Sequence, residues 1–95
     1  MARTRLRVHP GEILRHDFLM PAGISARALA KELDIPPNRL TEIAAGRRSV
    51  TANTAIRLAR YWGTSVEFWM AMQATYDSVV AEAGTDYSRI PHRAA

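Results

Sequence analysis

Apolar positions recur along this chain at intervals of three and four, between short clusters of proline and glycine, and that pattern predicts helices throughout. Ile13, Leu14 and Phe18 mark a first helix over about 11–20. Ser25 is a capping residue for a second, which turns Leu29, Ala30 and Leu33 inward. Pro37 suits the first turn of a third, where its missing N–H has no helical partner to lose. Leu40 and Ile43 form the inner face of that helix, and Gly46 is placed to end it in left-handed backbone. Thr51 caps a fourth helix that buries Ala55, Leu58, Ala59 and Trp62. Ser65 caps a fifth, with Glu67 favourably charged in its first turn, running to about residue 83. No stretch alternates like a strand. The predicted fold class is all-α, with five helices in one small domain.

The tightest constellation spans 26–43. Helix two ends after Leu33, Asp34-Ile35-Pro36 make the turn, and helix three starts at Pro37. Two short helices joined at a steep angle by such a turn form a helix-turn-helix unit. Its packing needs a small residue at the crossing, Ala30, an apolar residue in the turn, Ile35, and two anchors three apart, Leu40 and Ile43. The turn residue that goes left-handed is usually glycine. Here it is Asp34, which tolerates that conformation at a cost of about 1 kcal/mol.

With Leu40 and Ile43 inside, steps of 100° put Asn38, Thr41, Glu42 and Ala45 outward and Arg39 on the flank. In a helix-turn-helix protein that face enters the major groove. Asn38 can pair with adenine, Arg39 with guanine or a phosphate, and Thr41 can touch a thymine methyl. Glu42 can accept from cytosine or orient Arg39. Arg47, Arg48 and the start of helix two at Ser25 suit phosphates.

Charge supports an anionic partner for the first half of the chain. Residues 1–50 carry nine basic and five acidic groups, whereas 51–95 carry four of each. Twelve of the thirteen basic residues are arginine, which fits phosphate and guanine recognition and equally fits a G+C-rich coding bias. There is no cysteine, so no disulfide framework and no thiolate metal site. No apolar run approaches the roughly 20 residues of a membrane span, and "MARTRLRVHPGE" lacks the apolar core of a signal peptide; the expected location is cytoplasmic.

The same residues carry a family resemblance. The stretch "ISARALAKELDIPPNRLTEIAAGRRSVTANTAIRLARYWG" resembles the XRE, lambda repressor-like class of DNA-binding domains. More narrowly, "HPGEIL" at 9–14, "RLTEIAAGRRSVTANTAIRLARYWGTS" at 39–65 and "EFWMAMQATYD" at 67–77 resemble the HigA-type antitoxins of toxin–antitoxin modules. The resemblance implies a homodimer that represses its own operon and neutralises a small ribosome-associated ribonuclease of HigB type encoded beside it. It places the DNA contacts on Ser25, Asn38, Arg39, Thr41, Arg47 and Arg48. Two positions depart from the family pattern. Ala26 stands where a glutamine is frequent, and Asp34 replaces the glycine; both bear on the strength of DNA binding. A helix-turn-helix repressor without a toxin partner is the alternative function, and a neighbouring toxin gene distinguishes the two.

On helix five, Trp69, Met72, Tyr76, Val79 and Ala83 fall at spacings of 3, 4, 3 and 4, the seam of a helix pair. Trp69, Met72, Tyr76 and Val79 are therefore expected at a dimer interface, and the operator is expected to be an inverted repeat. The competing view is that Trp69 and Met72 close the core of a single copy. The domain is expected to run over 9–83, between a flexible basic segment, 1–8, and a frayed tail, 84–95. Arg3, Arg5 and Arg7 could grasp DNA, contact a toxin or stand in solvent. Glu12 and His16 share a helix face at i,i+4, but no third ligand is evident, so no metal is expected. No cofactor is expected either. Nothing resembles a nucleophile elbow or a glycine-rich phosphate loop, which argues against an enzyme.

Overall fold

The computed structural model describes residues 7–94. Five helices follow one another, and no strand occurs among the described residues. Helix α1 is continuous through Pro10–Ile13, Leu14–Leu19 and Met20–Ala22; α2 is Ala26–Leu33, α3 Pro37–Ala44, α4 Ala52–Trp62 and α5 Val66–Gly84.

The start of α1 is built from the "HPG" triplet. His9 is its N-cap, and its Nδ1 accepts the Gly11 N–H at 2.9 Å; Pro10 supplies a preset first turn. The helix was expected to stop near residue 20, before Pro21. It instead runs to Ala22, because its middle, Leu14–Leu19, widens into a π-type segment closed by Met20 N–H to the Arg15 carbonyl. In regular α geometry the Pro21 ring would meet the Asp17 carbonyl; the wider turn just before it relieves that clash. Gly23, at φ 65°, then reverses the chain.

Ser25 caps α2 as expected, its Oγ accepting the Ala28 N–H at 3.1 Å. Asp34 takes φ 60° and ψ 48°, the left-handed conformation expected of it, and Pro37 opens α3. Gly46 N–H reaches the Ile43 carbonyl at 2.9 Å and Arg47 N–H the Glu42 carbonyl at 2.8 Å, closing the end of α3. At α4, Thr51 occupies the cap position but its hydroxyl accepts no helix N–H. Its Oγ1 lies 3.5 Å from Thr54 Oγ1 instead. Ser65 caps α5 by accepting the Phe68 N–H at 3.0 Å.

Leu14, Leu29, Ala30, Leu40, Ile43, Ala55, Leu58 and Trp69 are completely buried, with Leu33, Ile35 and Val50 beside them. The crossing residue Ala30, the turn residue Ile35 and both α3 anchors therefore sit where their spacing put them. Phe18 and Trp62 are only partly buried and pack against this core from its edge.

Helix α5 differs from expectation. Trp69 is fully enclosed within the protomer and donates Nε1–H to Thr64 Oγ1 at 2.8 Å. Gln73, one turn on, is buried as well; its Oε1 accepts the Val50 N–H at 2.8 Å and its Nε2 donates to Asp77 at 2.9 Å. Tyr76 meets the His9 ring edge-on, centroids 4.9 Å apart. The stripe that looked like a seam between copies thus packs inward along its first two turns. Trp69 has no surface left for a second copy, and its place in the expected seam is corrected. Met72, Tyr76 and Val79 keep partial exposure, and Val80 and the described residues beyond it are exposed. The segment after Gly84 makes one turn, Ile90 N–H to the Tyr87 carbonyl, with the Tyr87 hydroxyl on the Ala81 carbonyl.

Candidate nucleic-acid interface

The α2–turn–α3 unit presents one polar face. Asn38 is exposed on the first turn of α3, and Thr41 and Glu42 are half-exposed one turn further. The Thr41 hydroxyl donates to the Asn38 backbone carbonyl at 3.3 Å, and the Asn38 side-chain amide takes no part in that bond. Both amide donor and amide acceptor of Asn38 are then available to a base edge.

Ser25, at the N-terminus of α2, uses one lone pair to cap the helix and keeps its O–H to donate. That suits an acceptor-only group such as a phosphate oxygen. Arg47 is exposed just past α3. Arg48 is not free: its Nε and Nη2 both reach Glu42 Oε1, at 2.9 and 2.8 Å. Glu42 therefore orients Arg48 rather than Arg39. The pair is exposed and worth little in stability, so an incoming phosphate can compete for the guanidinium.

Arg39 leans sideways onto α4. Its Nη1 donates to Asn53 Oδ1 at 3.1 Å, and Arg57 Nε donates to the same oxygen at 3.0 Å. Arg57 is anchored in turn by Nη1 on the Leu33 carbonyl, 2.7 Å, at the end of α2. These side chains line a hollow of about 370 Å³ between α3 and α4 that also takes in Arg48 and Thr51. Asn53 and Arg57 were not among the expected site residues. Their i,i+4 spacing on the first turns of α4 was the available signal, but only the packing of α4 against α3 makes it meaningful.

The C-terminal end of α3 is set by α1. A Cβ at Gly11 would lie 1.8 Å from the Ile43 carbonyl oxygen and 3.1 Å from Ala44 Cα, so the two backbones touch there. Arg15 Nη1 donates to the Ala44 carbonyl, placing a cation at the negative end of α3. His9 joins the same corner. Burial pushes its imidazole below the ordinary pKa, while the Asp77 charge, the Arg48 backbone carbonyl and the Glu12 charge pull less strongly the other way. The "HPGEIL" motif is therefore the buttress that fixes where α3 ends.

Of the remaining candidates, Arg3 and Arg5 lie outside the described residues. Glu12 and His16 are both exposed, and among the described residues no three His, Cys, Asp or Glu side chains gather as metal ligands. Among the same residues no helix is long and apolar enough to cross a membrane.

Comparison with known proteins places this geometry. Residues 17–69 match the family described as Helix-turn-helix. Virulence-associated protein I of Dichelobacter nodosus is 51% identical over 75 residues, covering 79% of this chain and 69% of that protein. The crystal structure of PA4674 from Pseudomonas aeruginosa in complex with its operator DNA superposes with a TM-score of 0.84 at 41% identity, covering 87% of this chain and 89% of that one. The Pseudomonas aeruginosa antitoxin HigA with the higBA promoter gives 0.79 at 37%, covering 87% and 99%.

Proposed function

The chain belongs to the helix-turn-helix family of XRE type, and we propose that it is the HigA-type antitoxin of a toxin–antitoxin module. In this reading it binds the promoter of its own operon and represses it, and it neutralises a small HigB-type ribonuclease toxin encoded beside it. The observation that carries the reading is the exposed Asn38–Thr41 face of α3, held between two buried anchors, in a chain similar to proteins crystallised with operator DNA.

Asn38 and Thr41 are the base-reading residues, by an amide pair to adenine and a methyl contact to thymine. Ser25, Arg47 and Arg48 hold backbone phosphates on either side and set the register. The protein acts as a homodimer in the cytoplasm. Two α3 helices about 34 Å apart then meet successive major grooves, which requires an inverted-repeat operator. The part of α5 left open to a second copy is the later part of the same stripe, with Val79 at its centre and the partly buried Tyr76 and Met72 at its margin. Both surfaces lie on the folded helices and on the short approach to α1.

The toxin surface is the outer face of α1 and the approach to it through Arg7 and Val8. The exposed residues of α1 include Glu12, His16, Asp17 and Met20, two carboxylates with a histidine and an apolar side chain. A ribonuclease must hold a polyanion, so an acidic, partly apolar face suits it. Co-expression with the neighbouring reading frame tests the reading. The toxin should co-purify with this chain and its growth inhibition should vanish; a neighbour that is neither toxic nor retained would leave a repressor without a toxin.

A further inference from the structure

Two guanidinium groups converge on one neutral atom in this structure. Arg39 Nη1 and Arg57 Nε both donate to Asn53 Oδ1, so the two nitrogens stand within about 6 Å of each other. Neither has a carboxylate. Glu42 is taken up by Arg48, and Asp34, at the rim of the same hollow, pairs with neither arginine. Like charges held side by side without a counterion repel, and the arrangement persists because Asn53 and the Leu33 carbonyl supply acceptors for the N–H groups. What the cluster lacks is negative charge. A dianionic or bidentate oxygen group fits guanidinium forks, and a backbone phosphate presents two unesterified oxygens carrying one charge.

The geometry points to Arg39, Arg57 and Asn53 forming a seat for one DNA backbone phosphate, with Arg39 reading no base. Resting on the DNA-binding function proposed above, this moves Arg39 from the specificity set to the affinity set and adds two α4 residues to the interface. A guanine-reading arginine extends from the outward face of the recognition helix; Arg39 is instead pinned laterally to α4. Asn53 is a positioning residue. It fixes both forks while remaining neutral, so it does not repel the anion. Arg57 ties the seat to the end of α2 through the Leu33 carbonyl, so a phosphate held between α3 and α4 is fixed relative to the whole α2–turn–α3 unit and sets how deep α3 enters the groove. Thr51 opens α4 onto the same hollow, and its uncapped first-turn N–H groups add positive potential there.

The test is binding of the full chain to two duplexes, its own promoter and a scrambled sequence of equal length, at several salt concentrations. Arg39→Ala should weaken both about tenfold, leave their ratio unchanged, and reduce the salt slope by about one. Asn53→Asp, which neutralises the seat from within, should weaken both duplexes similarly while the thermal midpoint stays level or rises. Arg39→Gln serves the same purpose if the alanine variant is unstable. A loss confined to the promoter, traceable to one base pair, would make Arg39 a base reader and overturn the seat. So would undiminished binding by Arg39→Ala and Asn53→Asp. Titration with inorganic phosphate alone separates a second source: tight saturable binding of free phosphate, with DNA affinity indifferent to Arg39, would also overturn it. If the wild-type chain prefers neither duplex, sequence-specific repression fails, yet the scrambled duplex still reports on the seat through its salt slope.

Discussion

Gly11 lies directly beneath the Ile43 carbonyl: the first added carbon at residue 11 would fall 1.8 Å from that oxygen. Helix α1 and the recognition helix can approach this closely only without a side chain at that point. Gly11→Ala must push the two backbones apart, and overpacking against backbone cannot be relieved by a rotamer change. The expected cost is about 3 kcal/mol of stability. Urea denaturation checks it; a variant within about 0.5 kcal/mol of the parent would show that α1 is not buttressed there.

His9 makes stability depend on pH. Burial lowers its pKa in the folded protein below the ordinary 6.5. The neutral ring is the folded form, since Nδ1 must accept the Gly11 N–H. The contribution is therefore fully present above 6.5 and is lost as pH falls through that value toward the lower folded pKa. Chemical denaturation at pH 7.5 and pH 5.5 should show the protein weaker at the lower pH. His9→Asn keeps a capping side chain and removes the titration, so its pH dependence over that interval should be flatter. An unchanged pH profile in the variant would assign the effect to other groups.

Val79→Asp separates the dimer from the core. Val79 is half-exposed beyond the inward-packed turns of α5, so a charge there should leave a folded, helical protein that no longer dimerises. Trp69→Ala opens a cavity in the protomer and should cost about 3–5 kcal/mol in stability. Sedimentation equilibrium with circular dichroism reads both. A Val79→Asp variant that stays dimeric would move the interface off α5.

The helix-turn-helix was legible because each of its requirements is local. The small crossing residue Ala30, the left-handed Asp34 and the anchors Leu40 and Ile43 lie within fourteen residues and obey one period. What escaped depended on contacts distant in sequence. The 3–4 spacing of Trp69, Met72 and Tyr76 is the same whether a helix packs on its own domain or on a twin, and only the proximity of His9 and Val50 decides between them. Gln73 reads as a surface residue until the buried Val50 N–H is seen to need an acceptor. His9 has no place in the apolar period of α1, and only its position before Pro10-Gly11 marks a helix start. The extension of α1 past Pro21 was hidden because proline ordinarily ends a helix, and a π-type turn is not visible as a period.

Operator reading by α3 is tested most directly by a binding isotherm on the protein's own promoter against a scrambled duplex, for the wild type and for Asn38→Ala. Asn38 is exposed, and its side chain supports nothing else in the fold, so the variant should melt with the wild type. The wild type should prefer the promoter. Asn38→Ala should lose about 1–3 kcal/mol on the promoter and nothing on the scrambled duplex, because a base contact carries discrimination and a phosphate contact does not. Equal affinity of the wild type for both duplexes, or full promoter affinity in Asn38→Ala and Thr41→Ala, would contradict the assignment of α3 as the reading helix.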